Sequence, residues 1–187
     1  WYSLLNILGL TIGITFSIFL IFYVKDEMSY DKHFKEADRI HRIVSYIQEP
    51  EKKMDWSMTQ YPLSETLQKD FPDVEYAVRF VKKERTLFKH NAVNHFETNV
   101  YFTDSTVFQV FDQTFLEGNA ATALREPNTA VITKSIADKY FTKNSASSVL
   151  GQSLQTASNE LYKITGVIAD IPINSHILYD ILLSSQG

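Results

Sequence analysis

The chain has 187 residues, with 18 Lys and Arg against 22 Asp and Glu and a formal net charge of −4. That balance excludes the clustered basic excess of a nucleic-acid binder, and 13 Phe, 10 Tyr and 2 Trp exclude a mostly disordered chain. Cysteine is absent, which excludes disulfides, thiolate zinc sites and a Cys nucleophile.

Trp1 to Val24 carries no charge. As a helix this stretch is roughly 36 Å long, enough to cross a hydrocarbon core of about 30 Å. Trp1 and Tyr2 at one end and Phe22 and Tyr23 at the other fit interfacial aromatic belts. The apolar run is too long for a signal peptide and lacks a small-x-small cleavage site. Residues 1–24 are therefore expected to form a transmembrane helix, the single pass of this stretch. Gly9, Gly13 and Ser17 recur every fourth residue, so one face is expected to pack closely on another membrane helix. Lys25, Lys32, Lys35 and Arg39 follow, and by charge alone they mark that side as cytoplasmic. A start at Trp1 in place of Met implies a longer parent chain.

Residues 25–39 read as a juxtamembrane connector, helical at first and then turning. Ile40–Gln48 is rich in β-branched residues and predicts a strand closed by Glu49-Pro50. Pro62 suits a first helical turn, Leu63, Leu67 and Phe71 follow at spacings of four, and Pro72 stops the helix. Val74–Val81 alternates apolar and polar residues and predicts a half-buried strand. Thr86–Lys89 and Phe96–Phe102 read as short strands. Asp104 or Ser105 can cap a short helix carrying Val107, Phe108 and Phe111. Glu117-Gly118-Asn119 reads as a turn, and Ala130–Ile132 as a strand. Thr133 is expected to cap a helix through Phe141, striped by Ile136, Ala137, Tyr140 and Phe141. Asn144–Ser148 reads as a polar loop, and Leu161–Ile168 as a strand ended by Asp170-Ile171-Pro172. Helices and strands mix without strict βαβ alternation, so the fold class is α+β: an N-terminal transmembrane helix, then a mixed domain over residues 40–187.

Chemistry is hard to find. Outside the apolar stretch only Gly118, Gly151, Gly166 and Gly187 occur, and none opens a P-loop or a dinucleotide fingerprint. Gly151-Gln152-Ser153 lacks the second glycine of a nucleophile elbow. The histidines are His33, His41, His90, His95 and His176; no HExxH occurs, and only His90 and His95 could meet, across a hairpin. Asp26, Glu27, Asp31, Glu36 and Asp38 intermix with basic residues as a solvated face. No catalytic residue, metal site or cofactor is expected.

The order of motifs is more informative. Asn6-Ile7-Leu8-Gly9-Leu10-Thr11-Ile12-Gly13 with the apolar run after it resembles the first transmembrane helix of FtsX-like ABC transporter permeases of the Bacteroidetes type. Ser29-Tyr30-Asp31-Lys32 with Ala37-Asp38-Arg39-Ile40 is similar to that family's entry into its periplasmic region. Ser105–Phe111 with Leu116-Glu117-Gly118-Asn119, and then Ala130–Phe141, resemble later motifs. So do Val149-Leu150-Gly151-Gln152-Ser153-Leu154 and Ile164–Pro172 with Ser175-His176. Gln152 stands for a usual basic residue and Asn119 for a usual Asp, and the loop before Val149 lacks the common Asp-Pro.

The resemblance is to the MacB-like periplasmic core domain, here incomplete at its C-terminal end. It implies an inner-membrane permease whose domain lies outside the cytoplasm and relays ATP-driven helix motion. Its implied partners are an ATP-binding subunit, a second permease copy in a dimer, membrane lipid, and a periplasmic adaptor or substrate protein. It implies no enzymatic activity in this chain, because ATP hydrolysis falls to another subunit or domain. From the residues alone, an extracytoplasmic sensor domain of a membrane receptor and a membrane-anchored enzyme stay open.

Overall fold

A computed structural model describes residues 1–48, 53–56, 59–141 and 148–186. The expected Glu49-Pro50 strand end and most of the 144–148 loop lie outside these residues.

Helix α1 (Tyr2–Glu27) is one uninterrupted span, with none of its residues buried. It runs three residues past Val24. Among the described residues it is the single helix long and apolar enough to cross a membrane. Thr11, Thr15 and Ser17 turn their hydroxyls back onto the carbonyls of Ile7, Thr11 and Gly13 at 2.7, 2.8 and 2.9 Å. Each polar atom is thereby satisfied within the helix, as a hydrocarbon solvent demands. A short 3-10 turn at Ala37–Arg39 follows.

The chain then forms two sheets. β1 (Ser45–Gln48) and β2 (Lys53–Trp56) make an antiparallel hairpin of their own. The expected strand from Ile40 is thus shorter, because residues 40–44 find no ladder partner. Helix α2 (Leu63–Asp70) comes next, as Pro62 and Pro72 imply.

The main sheet has nine strands: β3 (Phe80–Lys83), β4 (Thr86–His90), β5 (Val93–Glu97), β6 (Val100–Thr103), β7 (Phe115–Gly118), β8 (Thr129–Thr133), β9 (Ser153–Thr156), β10 (Leu161–Ile168) and β11 (Ile181–Ser184). Their order is β3-β6-β11-β8-β10-β9-β4-β5, with β7 also pairing β10. β10 carries β8 in parallel along one edge; β9 and β7 share its other edge, at Leu161–Lys163 and Gly166–Ile168. β11 sits between β6, parallel, and β8, antiparallel. Helices α3 (Val107–Val110) and α4 (Lys134–Tyr140) complete the α+β fold.

The core fills both faces of the central strands. Phe88, Ile132, Leu154, Ile164, Ile181 and Leu183 pack with α4 residues Ile136 and Tyr140. Val107, Leu124, Val131, Ile168, Tyr179 and Leu182 pack on the other side. Alternation along β11 and β8 sends successive side chains to opposite clusters, so every residue of both strands is buried.

Several expectations need correction. The alternating stretch Val74–Val81 is irregular until Phe80, because the Arg79 N–H goes to Asp104 Oδ2 at 2.9 Å and not to a ladder. Phe96–Phe102 is two strands, split where the Asn99 carbonyl receives the Asp180 and Ile181 N–H groups at 2.8 and 3.2 Å. Glu117-Gly118 closes strand β7, with the turn following at Asn119. Position N-cap of α3 is Thr106, without a side-chain bond. Thr133 precedes α4 but makes no capping bond, and its hydroxyl is buried without a partner. Asp170 caps that helix from β10's end, taking the Ser135 N–H and hydroxyl at 2.9 Å each.

Candidate functional site

The site is the junction between α1 and the sheet domain. The helix ends because Met28 and the residues after it fold back into turns: the Ser29 N–H and hydroxyl both reach the Asp26 carbonyl, at 2.9 and 2.6 Å. Asp31 then takes the left-handed conformation, φ 56°. Short polar side chains of this kind tolerate that region better than most residues. The reversal sends Phe34 into the domain, where it is 7% exposed and meets Phe111 edge-on at 5.2 Å.

The other half of the junction is the segment after β10. Asn174 accepts the Asp31 N–H on its carbonyl at 3.0 Å. Its amide donates to the Ser29 carbonyl and hydroxyl at 3.1 and 3.2 Å. The His176 N–H meets Asp31 Oδ1 at 3.0 Å, and its ring Nδ1 meets Oδ2 at 2.7 Å. Tyr30 leans on the His176 ring with centroids 4.9 Å apart. Buried Ser175 faces His33 Nε2 at 3.4 Å. A second tie lies beside it: Asp112 accepts the Lys35 N–H at 3.0 Å and pairs its ammonium at 3.3 Å. Burial alone would raise the Asp112 carboxyl, but the Lys35 bonds outweigh it and hold the group below its usual range.

Two short motifs, Ser29-Tyr30-Asp31 and Ser175-His176, therefore form one seam across 145 residues. Both are visible in the sequence, but nothing in spacing or periodicity joins them. The one available signal is chemical: an Asp and a His, each within two residues of a serine.

The face carrying Gly9, Gly13 and Ser17 is open. A Cβ built on either glycine would meet nothing within 4 Å, and Leu5, Asn6, Leu10, Ile14 and Ile18 flank the resulting groove. The stripe is thus brought onto one side of α1, with no contact to the rest of the described chain.

The histidines do not converge. His90 Nδ1 faces the Ser153 carbonyl at 2.9 Å, whereas His95 lies edge-on to Tyr140. Among the described residues no cluster of His, Asp and Glu is arranged to hold a metal ion. The most buried charged residue among those described is structural: Glu97 Oε1 receives Lys139 Nζ at 2.6 Å and the Tyr140 hydroxyl at 2.7 Å, tying α4 to β5. Burial first, and then the bond to Glu97, push the Tyr140 hydroxyl well above its ordinary value. Tyr140 is 2% exposed, and its hydroxyl is spent on Glu97 and the His95 carbonyl.

Residues 3–185 match the family model of the MacB-like periplasmic core domain. Among solved structures, a domain of a protein described as a permease from Porphyromonas gingivalis is similar, with a TM-score of 0.61 and 25% identity over 70% of this chain. The chain spans 59% of that structure's length. The extracellular domain of the noncanonical ABC-type transporter YknZ from Gram-positive bacteria aligns with a TM-score of 0.44, at 17% identity over 57% of this chain and 52% of that one. The periplasmic region of MacB from Actinobacillus actinomycetemcomitans aligns with a TM-score of 0.47, at 13% identity over 65% and 52%. No curated protein matches the chain.

Proposed function

We propose, for a chain that belongs to the MacB-like periplasmic core domain family of ABC transporter permeases, that it is the part of such a permease that carries motion outward. In this reading α1 crosses the inner membrane and the sheet domain stands outside the cytoplasm. The ATPase is a separate subunit or domain, and its cycle displaces α1. Boundaries follow the expected division: residues 1–24 in the bilayer, 25–39 as connector, and 40–187 as the domain. The Gly9, Gly13 and Ser17 face packs on another membrane helix, of the same permease or of a second copy. What moves with the domain is a periplasmic adaptor or a substrate protein.

The observation that supports the relay is the seam. Asp31 stands four residues beyond the end of α1 and is bonded to Asn174 and His176 through backbone and side chain alike. With so few residues of slack, a tilt of the helix end is transmitted to the domain and not absorbed as in a flexible linker. A Gly/Ser segment inserted between Met28 and Ser29 leaves the seam intact and severs it from the helix. In the full permease with its ATPase, reconstituted in nanodiscs, a spin label at exposed Ala157 should report an ATP-dependent displacement relative to the bilayer. The insertion should abolish that displacement and leave the domain folded. An unchanged displacement would mean that the domain is only tethered.

A further inference from the structure

We infer that the groove at the domain end of α1 is a binding site for one anionic phospholipid. The inference rests on reading α1 as a membrane span. Leu20, Ile21, Val24 and Met28 form its apolar wall, Lys25 and Lys32 stand at its rim, and its volume is about 650 Å³. The wall lies along the last apolar turns of the helix and the two ammoniums just beyond them. An acyl chain and a phosphate are separated in that same order along the bilayer normal.

Charge complementarity selects the ligand. Three other charged groups nearby are already paired. Lys35 pairs with Asp112, Arg39 with Glu36 and Glu75, and Asp31 with His176. Lys25 and Lys32 have no ion-pair partner among the described residues, and both are exposed. Neither neighbouring acid, Asp26 or Glu27, is among the residues that line the groove. At about 100° per residue, Asp26 is turned about 200° from Val24 onto the far side, while Glu27 borders the flank opposite Lys25. The rim is also held in place. Ser29, which lines the groove between the two lysines, is fixed by its bond to the Asp26 carbonyl and by the Asn174 amide. Lys32 follows on a turn whose N–H returns to the Ser29 carbonyl at 3.4 Å. Two ammoniums on one groove favour a headgroup with net negative charge over a zwitterionic one, whose own cation they would repel.

The test uses the whole chain in detergent micelles doped with either phosphatidylglycerol or phosphatidylcholine, read by native mass spectrometry. Phosphatidylglycerol should stay bound and phosphatidylcholine should not. Lys25→Gln with Lys32→Gln should cut phosphatidylglycerol occupancy by about 30-fold, at about fivefold per basic residue near an anionic surface. Equal retention of both lipids, or an unchanged affinity in the double variant, would overturn the site. A photo-crosslinking residue at position 28 of the full permease should capture lipid; capture of a polypeptide instead would mean that a helix fills the groove. Flotation with phosphatidylcholine vesicles is scored separately. If the unsubstituted chain fails to float, the membrane reading itself falls; if it floats and shows no lipid preference, only the site does.

Discussion

Arg79 grips Asp104 from three sides. Its Nη2 lies 2.6 Å from Oδ1, its Nε 3.1 and 3.0 Å from the two oxygens, and its own backbone N–H 2.9 Å from Oδ2. The guanidinium also stacks over the Tyr61 ring at 4.1 Å, and Ser185 donates to the same carboxylate at 2.9 Å. One residue after β6 thus ties together the start of β3 and the end of β11, the strands on either side of β6, and through Arg79 the segment at Tyr61.

Burial works against the Asp104 charge, but the bonds from Arg79 and Ser185 outweigh it, so the folded carboxyl sits below its ordinary value. A depressed folded value stabilises the protein above the unfolded value, about 3.9, and that contribution disappears as pH falls through the folded one. Asp104→Ala strands a mostly buried guanidinium and should cost about 2–3 kcal/mol near neutral pH. Urea titrations of the whole chain in micelles should show this loss, with a flatter acid limb in the variant. Identical acid limbs would show that Asp104 does not couple folding to protonation.

At the seam, Asp31→Ala removes both bonds to His176 and leaves a Cβ residue without the local polar bonding at φ 56°. Asp31→Asn keeps an acceptor and tolerates that backbone. Hydrogen exchange at residues 174–176 should rise clearly in the Ala variant and little in the Asn variant. The side-chain pair is largely solvated, so global stability should fall by only about 1 kcal/mol. Equal exchange in all three proteins would make the seam incidental.

Two sheet glycines should differ in kind. A Cβ at Gly118, φ 91°, would lie 2.5 Å from the Thr165 carbonyl oxygen, a backbone atom that cannot step aside. Gly118→Ala should therefore separate β7 from β10 and cost about 2 kcal/mol or more. At Gly166 the obstacle is the Phe115 ring at 2.7 Å, a side chain that can shift, so Gly166→Ala should be milder. Thermal melts rank the pair, and a reversed ranking would contradict the packing.

On α1, Gly9→Leu or Gly13→Leu fills the open groove and should impair assembly of the permease while leaving insertion intact. Blue-native electrophoresis of the membrane-extracted complex reads this. Normal assembly of both variants would reduce the stripe to composition.

Sidedness can be measured because the chain contains no cysteine. Ala157→Cys, exposed between β9 and β10, should react with an impermeant thiol reagent in intact spheroplasts. Labelling only after lysis would place the domain in the cytoplasm.

Some of this was legible in the sequence and some was not. The span, the β10 strand and helix α4 come from local signals: unbroken apolarity, an eight-residue run, and a striped helix. Val74–Val81 alternates as well as any strand, yet its Arg79 N–H is claimed by Asp104, a partner 25 residues away. β11 went unread because Ile181–Ser184 is buried on both faces, and a short apolar run with no alternation resembles any core segment. The capping role of Asp170 is hidden for a different reason: helix α4 begins next to Thr133, the obvious local candidate, but the bond comes from 35 residues downstream. The Gly9, Gly13 and Ser17 stripe was readable at once, since helical spacing is local. The seam was not, since it joins two turns.

β11, the last of the described strands in chain order, lies between β6 and β8 at the middle of the sheet. During synthesis β6 and β8 emerge before Ile181–Ser184. Until those four residues arrive, β6 and β8 each keep a bare edge, and the sheet stays in two parts. Such a delay leaves β8, whose Thr129–Thr133 is buried throughout in the finished fold, exposed to pairing with other chains.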